Sequence, residues 1–137
     1  MTMNLYARTY QATGAEATDP NHALVLLFEG AVRFLLQARE AIARRDYYEQ
    51  SRAITRTQRI FSTLLCALDR DANPELYLSL SGTYTWIHSS LTEVSVRDDA
   101  VLLEEVLEVV TGLCDAWRQA RQNLADEQAA QDQFAAA

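Results

Sequence analysis

Both prolines in this sequence follow a residue that caps helices, in Asp19-Pro20 and Asn73-Pro74. Asp and Asn side chains accept hydrogen bonds from the free N–H groups of a first helical turn. Proline suits the first helical position because it has no N–H to leave unpaired. The two dipeptides therefore read as two helix starts. Elsewhere little in the chain forbids helix, since it holds only four glycines and no further proline. That scarcity argues against a turn-rich all-β fold.

At roughly 100° per residue, the apolar positions sort into four stripes. The first helix is expected from Pro20 to Arg44, capped by Thr18 or Asp19. Arg44 and Arg45 fall in its last turn, where cations favour the helix dipole. The second is expected over Tyr47–Leu68 with Asp46 as its N-cap, and turns Ile54, Thr57, Ile60, Phe61, Leu64, Leu65 and Leu68 inward. Its Arg52, Arg56 and Arg59 lie opposite that stripe, and their plain reading is a solvated face. The third begins at Pro74 and carries Leu76, Leu80, Tyr84, Ile87, Leu91 and Val94. Val94–Asp99 ends it and starts the fourth, expected from Asp98 to about Asn123, with Leu103, Val106, Val110, Cys114, Trp117 and Leu124 on one side. Residues 1–17 read as a polar arm with Leu5, Tyr6 and Tyr10 as apolar anchors. Residues 125–137 read as a low-complexity tail, disordered or a frayed helix end. Four such segments with short connections specify an all-α protein, an antiparallel four-helix bundle over residues 18–124.

The first helix has more apolar surface than one stripe needs. In "ALVLLFEGAVRFLL", Ala23–Leu36, the stripe takes Leu24, Leu27, Phe28, Ala31, Phe34 and Leu35. Val25, Val32 and Leu36 form a second ridge, roughly 80–120° around from Leu24. In the third helix Leu78 and Trp86 point away from the stripe, and Trp is enriched at interfaces. The surplus can be covered by the bundle itself, by the N-terminal arm or by a partner.

Charge and chemistry narrow the function. Net charge is −7, and no basic face dominates as nucleic-acid binding requires. The longest apolar run is too short to span a bilayer, and the N-terminus has no signal-peptide core. The protein is expected to remain in the cytoplasm, with no membrane insertion. Cys66 and Cys114 make no metal spacing and are expected to stay reduced. His22 and His88 lack the Glu-x-x-His pairs of a di-metal bundle, and His88 has no nearby cation to steady a phosphoryl group. No cofactor, metal or catalytic residue is expected. The residues alone lead to an acidic helical bundle that binds another chain.

Several stretches together match a known pattern. "ATDP" at Ala17–Pro20 precedes Leu27-Phe28-Glu29-Gly30-Ala31-Val32-Arg33-Phe34-Leu35, with Ala38 following. Thr57-Gln58-Arg59-Ile60-Phe61 leads to Leu64 and Leu68-Asp69. Leu76-Tyr77, Leu80, Tyr84 and Leu91 come next, then Leu113-Cys114-Asp115-Ala116-Trp117. In this order and spacing the chain resembles the FliS family of flagellin-specific export chaperones, from about Tyr6 to Ala120. It departs from the family pattern in having Phe28-Glu29 for Tyr-Asp and Cys114 for an Arg.

The resemblance implies a chaperone that works without ATP. Its client would be the disordered C-terminal segment of flagellin, kept from premature polymerisation and delivered to the flagellar export apparatus. An export-gate component and other flagellar regulators are implied as further partners. The expected client-binding residues are Val25, Val32, Leu36, Leu78 and Trp86, with Leu5, Tyr6 and Tyr10 of the arm as a displaceable cover. The alternatives are a helical adaptor or regulator that forms a homodimer through the same ridge, and a sibling flagellar chaperone for another client.

Overall fold

The computed structural model describes residues 20–136, and the arm with Leu5, Tyr6 and Tyr10 lies outside the described residues. Four helices follow in order: α1 Pro20–Ala43, α2 Tyr47–Ala67, α3 Pro74–Arg97 and α4 Ala100–Ala136. Each packs against its neighbours in the chain, and α1 also closes the ring against α4. Helices α1 and α3 thus stand on one diagonal and α2 and α4 on the other. The expected all-α four-helix bundle is the fold.

The connections explain the alternation of direction. At 44–46 the chain turns on Arg45, which takes the left-handed φ of 59°. Arg45 N–H donates to the Ile42 carbonyl (3.1 Å) and Asp46 N–H to that of Ala41 (2.9 Å). This is a Schellman closure, in which the last carbonyls of a helix are satisfied from beyond its end. Asp46 then serves the next helix, its Oδ1 accepting from the Glu49 N–H at 3.2 Å. The corner at 98–99 repeats the device. Asp98 has φ 52°, Asp99 N–H donates to the Val94 carbonyl at 3.3 Å, and Asp99 Oδ1 accepts from Leu102 N–H at 3.0 Å. Both corners lie at one end of the bundle. Gln50, buried in the first turn of α2, joins them by donating from Nε2 to Asp98 Oδ1 at 2.8 Å. The longer connection, 68–73, lies at the other end, where Asn73 Oδ1 caps α3 through Leu76 N–H at 3.1 Å.

One aromatic ring from each helix meets in the core. Phe28 stacks on Trp117 (centroids 6.1 Å apart), meets Phe61 edge-on (6.2 Å) and lies near Tyr84 (6.3 Å). Phe61 and Tyr84 close the cluster at 5.5 Å. All four rings are buried, among Leu24, Leu35, Leu64, Ile87, Leu91 and Val110. The core uses most of the inward positions read from periodicity, with two corrections: Leu124 is 38% exposed near the end of the packed part of α4, and Phe34 is half-buried at the α1–α2 edge, where it meets Arg56 instead of the core.

Helix α4 differs from expectation. It does not end near Asn123 but continues to Ala136, with every side chain from Gln122 to Ala135 exposed. Side-chain pairs one turn apart accompany the extension: Gln119–Asn123, Gln122–Asp126 and Gln128–Asp132, each at 3.0 Å. Such i, i+4 pairs support a helix that has no core to lean on.

Three substitutions test this arrangement. Phe28→Ala is expected to cost about 3–5 kcal/mol in urea unfolding, the range for deleting a buried aromatic. Arg45→Gly is expected to stabilise the fold by about 0.5–1 kcal/mol, because glycine carries no steric penalty at positive φ. Asp98→Gly, made at the sister corner, should instead be neutral or destabilising, because it removes the partner of buried Gln50.

Candidate functional site

Ion pairs between helices show which way the second ridge of α1 faces. Arg118 donates to Glu29 Oε2 at 2.6 Å, and Arg39 meets Glu104 at 3.3 Å. On the wheel of α1, Glu29 and Arg39 bracket the angular sector of Val25, Val32 and Leu36. That sector is therefore the side that α1 turns toward α4.

The consequence differs along the ridge. Val25 is only 5% exposed and belongs to the core. The expectation that it points outward is thus corrected, because α4 passes beside it. Val25 lines a concavity of about 620 Å3 with His22, Glu29, Arg118, Arg121 and Leu124. Val32 is half-buried and packs on the core. Leu36, nearer the corner end, stays 38% exposed. The bundle therefore covers the surplus face at one end and leaves it partly open at the other.

On α3 the two misfits are open, with Leu78 71% and Trp86 39% exposed. They sit about 12 Å apart along the helix at 1.5 Å per residue. The expected client-binding residues do not converge on one patch. Leu36 lies on the α4 side of α1, whereas Leu78 and Trp86 lie across the diagonal on α3. Sequence reading missed Leu26, which is 51% exposed on the outward side of α1. The signal was present, since Leu26 falls roughly 160° from the Leu24–Phe28–Leu35 stripe on the wheel. Val96 and Val101, exposed on either side of the 98–99 corner, were missed as well.

The surface chemistry is mild. The hydrogen bond from Arg118 holds the Glu29 carboxyl below its ordinary pKa. A lowered carboxylate stabilises the fold above its ordinary range and loses that contribution as pH falls through the lowered value. Half of the Arg118 side chain and about a third of Glu29 face solvent, so the contribution is small. Burial pushes the Cys114 thiol up, so it stays protonated and inert. Among the described residues no group of three or more His, Cys, Asp or Glu could hold a metal ion. No helix among them is long and apolar enough to cross a membrane.

The motifs noted in the sequence now have places. The Gly30-Ala31 stretch of α1 faces α2 and the core, and the Cys114–Trp117 stretch of α4 meets Phe28. The family model described as flagellar protein FliS matches residues 2–124. The chain belongs to the FliS family. It is 31% identical over 123 residues to the flagellar secretion chaperone FliS of Campylobacter jejuni, covering 90% of this chain and 96% of that one. To the Bacillus subtilis flagellar secretion chaperone FliS it is 29% identical, over 83% and 84% of the two chains. A crystal structure of a bacterial flagellar chaperone superimposes with a TM-score of 0.71 at 22% identity, covering 90% and 99%, and so shares the fold. The FliS match begins at residue 2 and stops at Leu124, so the projecting end of α4 lies beyond it.

Burial separates Val25 from the open Leu36. Val25→Asp is expected to unfold or strongly destabilise the bundle, because it places an unpaired charge in the core. Leu36→Asp is expected to change stability by no more than about 1 kcal/mol. Circular dichroism with urea titration distinguishes the two.

Proposed function

We propose that this chain is a cytoplasmic flagellar export chaperone that binds the disordered C-terminal segment of flagellin. It prevents premature polymerisation and presents the subunit to the export apparatus. The observation that carries this reading is the placement of open apolar side chains. Leu36 and, across the bundle, Leu78 and Trp86 are too far apart for one compact docking patch. A client that covers them must be long and must pass around the bundle. An unfolded segment can do that without a preformed matching surface.

The energetics favour such a client. A segment that orders on binding loses conformational entropy and therefore needs a large apolar area for useful affinity. Helix-in-groove contacts with exposed Leu and Trp supply it. The N-terminal arm, with Leu5, Tyr6 and Tyr10, acts in this proposal as a cover over part of the same surface. A cover lowers the apparent affinity by the fraction of molecules in which it is closed.

Calorimetric titration with the C-terminal segment of flagellin from the same organism tests the proposal. Saturable one-to-one binding with a negative heat-capacity change is the expected result. Leu36→Asp combined with Trp86→Ala should weaken binding by about tenfold or more, corresponding to at least about 1.4 kcal/mol. Removal of residues 1–17 should tighten it. Absence of binding at about 50 μM protein, well above a micromolar Kd, would leave the adaptor reading in its place.

A further inference from the structure

The outward face of α2 carries a ridge of arginines that the function above does not use. Arg52, Arg56 and Arg59 stand at i, i+4 and i+7, about 10 Å of helix. They lie opposite the buried Ile54 and Phe61 on the wheel. With Tyr48, Ser51 and Thr55 they line a shallow concavity of about 370 Å3. All six side chains can donate a hydrogen bond, and none is a carboxylate.

Two aromatic rings orient the ridge. The Arg52 guanidinium carbon lies 5.9 Å from the ring centroid of Tyr48, and that of Arg56 lies 5.7 Å from Phe34 of α1. Cation–π contacts of this kind restrict long side chains before any ligand arrives, which lowers the entropy cost of binding. Neutralisation is incomplete. Arg52 meets Glu49 at 3.6 Å, but among the described residues no carboxylate pairs with Arg56 or Arg59. Arg39, Arg44 and Arg97 each have one, and Arg118 has two. In a chain of net charge −7 with 19 acidic residues, this positive ridge is a local exception.

We propose that this face of α2 docks a short acidic peptide segment of a partner protein, whose carboxylates meet Arg52, Arg56 and Arg59. Guanidinium forks match carboxylates in geometry as well as charge. The hydroxyls of Tyr48, Ser51 and Thr55 satisfy the remaining acceptor positions. The length of the ridge argues against nucleic acid. A strand that runs past a ridge this short enters the field of an acidic molecule and is repelled. A short segment gains the ridge and avoids the rest. The site does not include Leu36, Leu78 or Trp86, so it does not depend on flagellin being the client. A second protein could be held there while the apolar surfaces are occupied.

The test uses the full chain and a fluorescein-labelled, alanine-rich peptide with Glu at i, i+4 and i+7, followed by fluorescence anisotropy. Saturable binding is expected, weakening as salt rises to about 0.15 M, where the screening length is about 8 Å. It should vanish when the peptide glutamates become Gln. Arg56→Glu/Arg59→Glu should weaken it by about tenfold or more, since two charge-assisted contacts turn repulsive. The milder Arg56→Gln/Arg59→Gln pair should show a smaller loss, with helicity unchanged in circular dichroism. Arg70→Glu/Arg97→Glu alters net charge equally but lies off the ridge, and should leave binding within about twofold at moderate salt. Equal loss in the ridge and off-ridge charge-reversal variants would reduce the effect to net charge and overturn the proposal. So would displacement of the peptide by millimolar inorganic phosphate at constant ionic strength, which marks a free-anion site. Tighter binding of a labelled oligodeoxythymidylate than of the peptide would also overturn it.

Discussion

Phe28 is the contact on which the arrangement of helices depends. Its ring touches one aromatic ring from each of the other three helices. Rings of this size bury large areas and prefer offset or edge-on approaches, so they constrain both spacing and rotation. A helix that slid by one turn would lose its place in the cluster. The next residue adds a second constraint on the same pair of helices. Phe28 and Glu29 of α1 face Trp117 and Arg118 of α4, one contact buried and one at the surface. The buried contact carries most of the energy, while the exposed ion pair contributes mainly register.

Surfaces follow from that register. Because α4 is held against the α1 sector containing Val25, that ridge is buried at Val25 and emerges at Leu36, while Leu26 is open on the outward side of the same helix. Because α3 stands across the diagonal, its Leu78 and Trp86 face away from α1. The arginine ridge of α2 is left on a separate face. The bundle therefore keeps apolar and cationic surfaces apart, although the inward stripes of all four helices merge in one core.

Much of this was legible in the sequence, for identifiable reasons. Asp46, Asn73 and the prolines mark helix starts by local chemistry, and the 3.6-residue period marks the core stripes. Local chemistry does not report which neighbour lies beside a given sector. A wheel puts Val25 and Leu36 within roughly 20° of each other, yet one is buried and the other is not. The difference lies in how completely α4, distant in sequence, covers each position along its length. The projecting end of α4 is open to two readings in the sequence, a disordered tail or a frayed helix end, because it carries no core stripe to decide between them. Gln122 with Asp126 and Gln128 with Asp132 supply a helix-supporting spacing that favours the second. The scattered exposed positions Leu36, Leu78 and Trp86 show the same limit, since amphipathicity identifies an outward side chain but not whether two of them share a face.

The corners at 44–46 and 98–99 have an evolutionary consequence. Asp46 and Asp99 each finish one helix and cap the next, so neither corner has a spare residue. An inserted or deleted residue there would separate the two roles and misdirect a whole helix. Inserted or deleted residues are therefore tolerated best at 68–73, at the start of α1 and at the end of α4, which lie together at the opposite pole. The turns of α4 beyond Leu124 are placed at that pole.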